Sequence, residues 1–254
     1  MKRALFTVIL ANALGGAALL TAHTAYATDE RFSLSTGFDY STGNYGTPSS
    51  TDVLPVPVTG KYETDRSVFK LSAPYAQISG AEGMAPGAGV TGGGTTASPL
   101  GDAVAAATYS IYEDPASNFK VDVTGKARLA TANTLLGVRT HDYAAQANVY
   151  QGFDKFTAMG SLGSRIIGHT GGLTLNTVLY GSFGGAYQFA KQTSGGVNVS
   201  SIQDSSATWM GPQELTAYVD YKLDKSFKVQ GYILKGLSPD NPVHGVGAFI
   251  SSKF

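Results

Sequence analysis

Along much of the chain, apolar and polar residues alternate one by one. From Arg31 to Tyr40, Phe32, Leu34, Thr36, Phe38 and Tyr40 share one face, and Ser33, Ser35, Gly37 and Asp39 share the other. From Asn118 to Leu129 the contrast is sharper. Phe119, Val121, Val123, Ala127 and Leu129 accompany Gly125, opposite Lys120, Asp122, Thr124, Lys126 and Arg128. Side chains alternate across a strand, so such a segment has one greasy and one ionic face. Glu214 to Leu223 repeats the pattern, with Leu215, Ala217, Val219, Tyr221 and Leu223 against Thr216, Tyr218, Asp220 and Lys222. Phe227 to Ile233 sets Phe227, Val229 and Ile233 against Lys228, Gln230 and Tyr232.

Segments of this kind predict twelve strands: 31–41, 53–63, 67–78, 102–113, 118–129, 142–151, 155–166, 174–188, 195–202, 213–223, 227–235 and 245–254. Their connections alternate in length. Short turns fall at 63–66, 114–117, 151–154 and 224–226, and longer loops at 42–52, 130–141 and 203–212. The longest loop, 79–101, carries Pro86-Gly87-Ala88-Gly89 and Gly92-Gly93-Gly94. Short turns at one end and long loops at the other are how outer-membrane barrels are built.

Composition narrows the choice further. The 254 residues include 32 Gly, 14 Tyr and 12 Phe, and only 14% are charged. A disordered chain would hold fewer aromatics and more charge. A helical bundle would be weakened by so many glycines, each costing about 1 kcal/mol relative to Ala. Eighteen basic residues balance eighteen acidic ones, which leaves no electrostatic footprint for nucleic acid. With no Cys, disulfides, thiolate metal sites and Cys nucleophiles are excluded.

The N-terminus predicts export. Lys2 and Arg3 precede an apolar run from Ala4 to Leu20, and Ala25-Tyr26-Ala27 follows as a small-x-small cleavage site. Residues 1–27 read as a signal peptide and 28–254 as one barrel domain. No other apolar stretch approaches the roughly 20 residues of a membrane helix.

A soluble sandwich also alternates, but strand lengths, an even strand count and the export signal favour a transmembrane antiparallel up-and-down barrel. In the last segment Val246, Ala248, Ile250 and Phe254 share a face, as expected of a closing strand against lipid. The terminal Phe254 resembles the aromatic signal read by the bacterial barrel assembly machinery. The expected location is therefore the outer membrane of a Gram-negative cell. Its expected partners are lipid, that machinery and a small-molecule solute.

Local words add a family resemblance. They are Tyr62-Glu63, Phe69-Lys70-Leu71 with Pro74-Tyr75, Leu100-Gly101-Asp102, Thr124-Gly125-Lys126-Ala127-Arg128-Leu129-Ala130-Thr131-Ala132, Asp142-Tyr143 and Gly236-Leu237-Ser238-Pro239-Asp240. Spread over nearly the whole mature chain, they resemble the outer-membrane barrels grouped as phenol-degradation MetA-pathway proteins. That resemblance implies a transporter-like barrel linked to aromatic compounds. The chain departs from the group where Arg128-Leu129-Ala130-Thr131 stands for Lys-Leu-Pro-Thr and Leu136-Gly137-Val138-Arg139 for Leu-Gly-Thr-Gly.

The strand phases send a charged set inward. The candidate pore-lining residues are Lys61, Lys70, Lys120, Asp122, Lys126, Arg128, Asp220, Lys222 and Lys228. Arg165, Lys253, Asp39, Glu63 and Asp142 accompany them. Two outcomes are open for this set: a path for anions, or an ion-paired network that plugs the barrel, with Asp122 holding Lys120 or Lys126. Other chemistry is scarce. His141, His169 and His244 fall in or beside loops without a metal-ligand spacing, so no metal, cofactor or catalytic residue is expected. Gly92 to Gly94 lack the Lys-Ser/Thr of a phosphate loop, and Ser161 and Ser182 lack the register of a nucleophile elbow. The leading expectation is passive passage of a small aromatic or anionic solute through a narrow lumen. The alternatives are a structural or surface-interaction barrel and an outer-membrane lipid hydrolase.

Overall fold

The computed structural model describes residues 30–43, 50–80, 94–98, 101–131, 141–167, 176–203, 213–238 and 244–254. The described residues form thirteen strands and no helix: β1 (Arg31–Gly43), β2 (Thr51–Glu63), β3 (Ser67–Gly80), β4 (Gly94–Ser98), β5 (Ala103–Asp114), β6 (Phe119–Leu129), β7 (Asp142–Phe153), β8 (Phe156–Ile167), β9 (Asn176–Gln188), β10 (Thr193–Ile202), β11 (Gln213–Lys222), β12 (Phe227–Gly236) and β13 (His244–Lys253). All pairings are antiparallel. Twelve strands close into a barrel, because β1 pairs with both β2 and β13 while β2 also pairs with β3. The proposed signal segment and parts of the long connections lie outside the described residues.

The thirteenth strand was not expected. β4 lies within the stretch read as one loop, and it pairs with β3 from Ala76↔Ser98 to Gly80↔Gly94. The reason is that β3 outruns β5, which pairs only with Ser67 to Ser72. The exposed upper edge of β3 is covered by β4, as an unpaired edge requires. Two further departures are local. Ile111 is an extra residue in β5, a bulge opposite β6 that leaves Ile111 and Tyr112 both facing outward. Between Thr36↔Val58 and Ser41↔Val53 the β1–β2 pairing lapses, alongside Pro55 and Pro57, which have no N–H to donate.

Short turns close one end of the barrel by local chemistry. Asp114 accepts from the Ala116 amide at 3.0 Å and the Ser117 hydroxyl at 2.6 Å. Asp224 accepts from the amides of Ser226 and Phe227. Asn118 and Asp154 hold left-handed φ angles of 54° and 53°, a conformation these two residue types tolerate.

The outer surface is apolar. Leu162, Phe183, Val197, Val219 and Ile233 all point out and are exposed, with Phe183 at 72%. In water this would be a very large unprotected patch, whereas in a bilayer it is the required solvent contact. An aromatic belt marks the turn end: Phe32 and Phe254 have ring centres 6.0 Å apart, Tyr187 and Phe189 5.3 Å, and Phe153 and Phe156 6.3 Å. Such girdles sit at the membrane interface. In β6 the exposed Val123 alternates with buried Asp122 and Thr124, so the polar face of that strand is turned to the interior.

Candidate functional site: the charged lumen

Cross-strand partners in a sheet point to the same side, so paired registers trace rows around the inner wall. One row runs Lys253↔Ser33↔Lys61↔Lys70↔Ala106↔Lys126↔Ala144↔Arg165, climbing from the turn end toward the loop end. The next runs Lys222↔Lys228↔Ser251↔Ser35↔Thr59↔Ser72↔Val104↔Arg128↔Asp142. The inner wall is therefore basic along two oblique tracks, with Ala, Ser, Thr and Val residues between the cations.

The two ends of these tracks differ. At the loop end the arginines are locked. Arg128 donates through Nε and Nη2 to Asp142 at 2.9 and 2.6 Å, and through Nη1 to Asp102 at 2.8 Å. Arg165 reaches the same oxygen of Asp142. Both aspartates are buried, Asp142 to 2% exposure. Two guanidinium and two carboxylate groups thus form one neutral knot, and a fork of donors suits a planar carboxylate.

Deeper in, lysines predominate. Lys126 donates to Gln146 at 2.8 Å and lies 5.7 Å from the centre of the Tyr180 ring. Gln146 donates to Asn148, Asn148 to Thr124 at 3.1 Å, and Thr124 meets Thr108 at 2.9 Å. Lys61 pairs with Glu63 at 2.9 Å, Lys120 with Asp122 at 3.3 Å, and Lys228 with Asp220 at 3.4 Å. Gln230 also donates to Asp220 at 2.9 Å.

The remaining arc is aromatic. Tyr180, Tyr218, Tyr232 and Phe249 each stand directly across from a glycine: Gly163, Gly196, Gly247 and Gly37. A methyl added at Gly163 would meet the Tyr180 ring at 2.6 Å, and one at Gly37 would meet Phe249 at 2.7 Å. The rings therefore lie flat over the backbone where a side chain is missing, and Tyr232 stacks on Phe249 with centres 6.1 Å apart. Tyr232 donates to Asp39. Close to Asp39 is Glu214, 1% exposed, with no hydrogen-bond partner for either carboxylate oxygen.

All nine sequence candidates lie on the inner face. The structure joins Lys120 to Asp122 and Lys228 to Asp220, and it separates Arg128, bound in the knot, from Lys126 only two positions away. Sequence reasoning passed over Asp102 and Glu214. Each shares the phase of its strand's inward residues, Asp102 with Val104 and Glu214 with Asp220, and that phase was the available signal. Ser161 and Ser182 contact each other at 2.8 Å, and the His141 Nδ1 accepts from the Ala130 amide at 3.3 Å.

No family model matches the sequence, and no curated protein does. Solved structures do match in shape. An outer membrane channel from Pseudomonas putida F1 is 14% identical with a TM-score of 0.67, over 91% of this chain and 97% of that one. The NanC porin gives 8% identity and 0.55, over 87% and 98%. The KdgM porin, solved in complex with disordered oligogalacturonate, gives 11% and 0.52, over 87% and 99%. At these identities the likeness is one of fold.

Proposed function

We propose that this chain is an outer-membrane channel through which a small anionic or aromatic solute passes passively. The observation that carries the reading is the inversion of polarity: a closed wall with an apolar exterior and a polar, charged interior. A twelve-stranded barrel lies between the small barrels filled by side chains and the broad sixteen-stranded porins, which fits a narrow path. The shared fold with three outer-membrane channels and porins supports it. The export signal and the terminal Phe254 are consistent with the location, and the resemblance to MetA-pathway barrels favours an aromatic solute. The lysine rows and the ring-over-glycine arc offer surfaces for anionic and aromatic groups respectively.

Reconstitution in planar bilayers tests the proposal. Stepwise conductance from folded protein is expected, together with swelling of liposomes in small solutes. Folded protein that leaves the bilayer silent would favour the second reading, a barrel without transport. One observation supports that alternative: the Arg128–Asp142–Arg165–Asp102 knot occupies the loop end of the lumen.

A further inference from the structure

One row of the inner wall carries amide and hydroxyl groups where the two basic tracks carry cations. It runs Asn148↔Ser161↔Ser182↔Ser200↔Glu214 from β7 to β11. Beyond Asn148 it continues to Asp122 on β6 and Ser110 on β5. Apolar clusters border it on both sides. Toward the loop end Tyr180 packs on Val178 and Ile202, and toward the turn end Tyr218 packs on Met159 beside Tyr150 and Tyr232. The hydrogen bonding of this band is incomplete. Among the described residues, the buried side-chain atoms without a hydrogen-bond partner are Ser110 Oγ, Asp122 Oδ1, Tyr180 Oη, Tyr218 Oη and both Glu214 oxygens. All of them lie in the row or on its two aromatic borders. Asp122 has Lys120 as a counter-ion at 3.3 Å. The others are three hydroxyl donors and one carboxylate. A buried polar group left unbonded is costly, so their gathering along one band marks a place for a partner.

We propose that this band is a binding site for a neutral, polyhydroxylated solute of sugar size. The inference rests on the channel reading and adds a class of solute to it. A hydroxyl group both donates and accepts, so one ligand can donate to Glu214 while accepting from Tyr180 and Tyr218. Ser161 and Ser182, 2.8 Å apart, share one hydrogen bond and keep further lone pairs for the ligand. The side chains from Asn148 to Ser200 are uncharged, which suits a neutral molecule. A sugar ring carries apolar C–H faces inside a rim of hydroxyls, and the aromatic borders match those faces. Glu214 and Tyr218 are only 1% and 4% exposed, so the solute reaches them by tipping the tyrosine rings off the wall.

The test is saturation-transfer NMR of the refolded barrel in micelles, with glucose and sorbitol as probes and empty micelles subtracted. Saturating the protein should attenuate the signals of both probes. Permethylated glucose has no hydroxyl to donate to Glu214, and its response should be weaker by about tenfold or more. Tyr180→Phe, Tyr218→Phe and Glu214→Leu remove unbonded groups without breaking a hydrogen bond, so these variants should fold. Combined, they should lower the glucose response by about tenfold, the worth of one or two hydrogen bonds. Lys191→Gln, in an exposed turn, should keep it. Should the triple variant not refold, Tyr218→Phe alone is read in the same way. No glucose response, an equal response to permethylated glucose, or a glucose response that survives the changes overturns the site. Conductance of the same preparations keeps the two proposals apart. A silent bilayer with an intact glucose response removes the channel and leaves the site, and conductance without the response does the reverse.

Discussion

The arginines at the loop end of the lumen and the lysines below them have the same charge and opposite surroundings. Arg128 and Arg165 converge on buried Asp142, and Asp102 beside Arg128 completes a neutral set, whereas Lys61 and Lys228 each pair with an acid of their own and Lys126 rests on the neutral Gln146. The difference shows how one barrel wall can carry a structural clasp and an electrostatic field two residues apart on β6. A shared carboxylate ties the cations together in the first region, and separate single contacts hold them in the second.

Removing a member of the clasp should have the largest effect. Asp142→Ala leaves two buried guanidinium groups facing each other, and losing one partner of a buried pair costs about 3–5 kcal/mol. Urea unfolding in micelles should show that loss, whereas Lys126→Met, which gives up one hydrogen bond to Gln146, should cost less than about 1 kcal/mol. Equal losses would erase the distinction between the regions. Next in size is Val123→Arg on the lipid face of β6, expected to cost about 2–4 kcal/mol at mid-membrane depth. Lys126→Ala on the inner face of the same strand should cost less than about 1 kcal/mol, since a single ordinary hydrogen bond is worth roughly that. If the two changes cost the same, the assigned phase of β6 is wrong. An effect below that of Val123→Arg is expected at Gly247→Ala. The added methyl would overlap the Tyr232 ring, which must tip off the wall, an overpacking cost of about 1–3 kcal/mol. Single-channel conductance should fall with it, and an unchanged conductance would place Tyr232 away from the path.

Much of the wall was legible because alternation is a local property. The phases of β1, β6, β11 and β12 follow from residues two apart, and the Lys120–Asp122 pair lies within one such step. The clasp was not legible, because its members come from β6, β7, β8 and the residue just before β5. Arg128 lies 26 positions from Asp102 and 14 from Asp142, so only the strand register brings them together. β4 was hidden for a related reason. Its Gly-Thr-Thr-Ala-Ser sequence has no alternating apolar face, and it forms a strand because β3 rises past β5 and leaves an edge. The extra Ile111 likewise shifts phase inside an apolar run, where alternation gives no warning.

The seam between β1 and β13 has a consequence for how the chain reaches its native state. Every other stave pairs with the next stave along the chain, β3 with β5 across the intervening β4, so those pairs can form as soon as their residues are available. The seam alone, from Ser33↔Lys253 to Thr42↔His244, joins segments at opposite ends of the sequence. Its loop-closure entropy spans nearly the whole polypeptide, which makes it the slow and late event of folding. Until it closes, two strand edges stay unpaired, and a bilayer core offers nothing to satisfy them. The Phe254 amide bonds to the Phe32 carbonyl at 2.9 Å, so the finished barrel brings the start of β1 and the last residue together at the turn end. A short linker from the C-terminus back to β1, with new termini opened at the Asp224 turn, should therefore preserve the same closed wall while changing which seam is last to form.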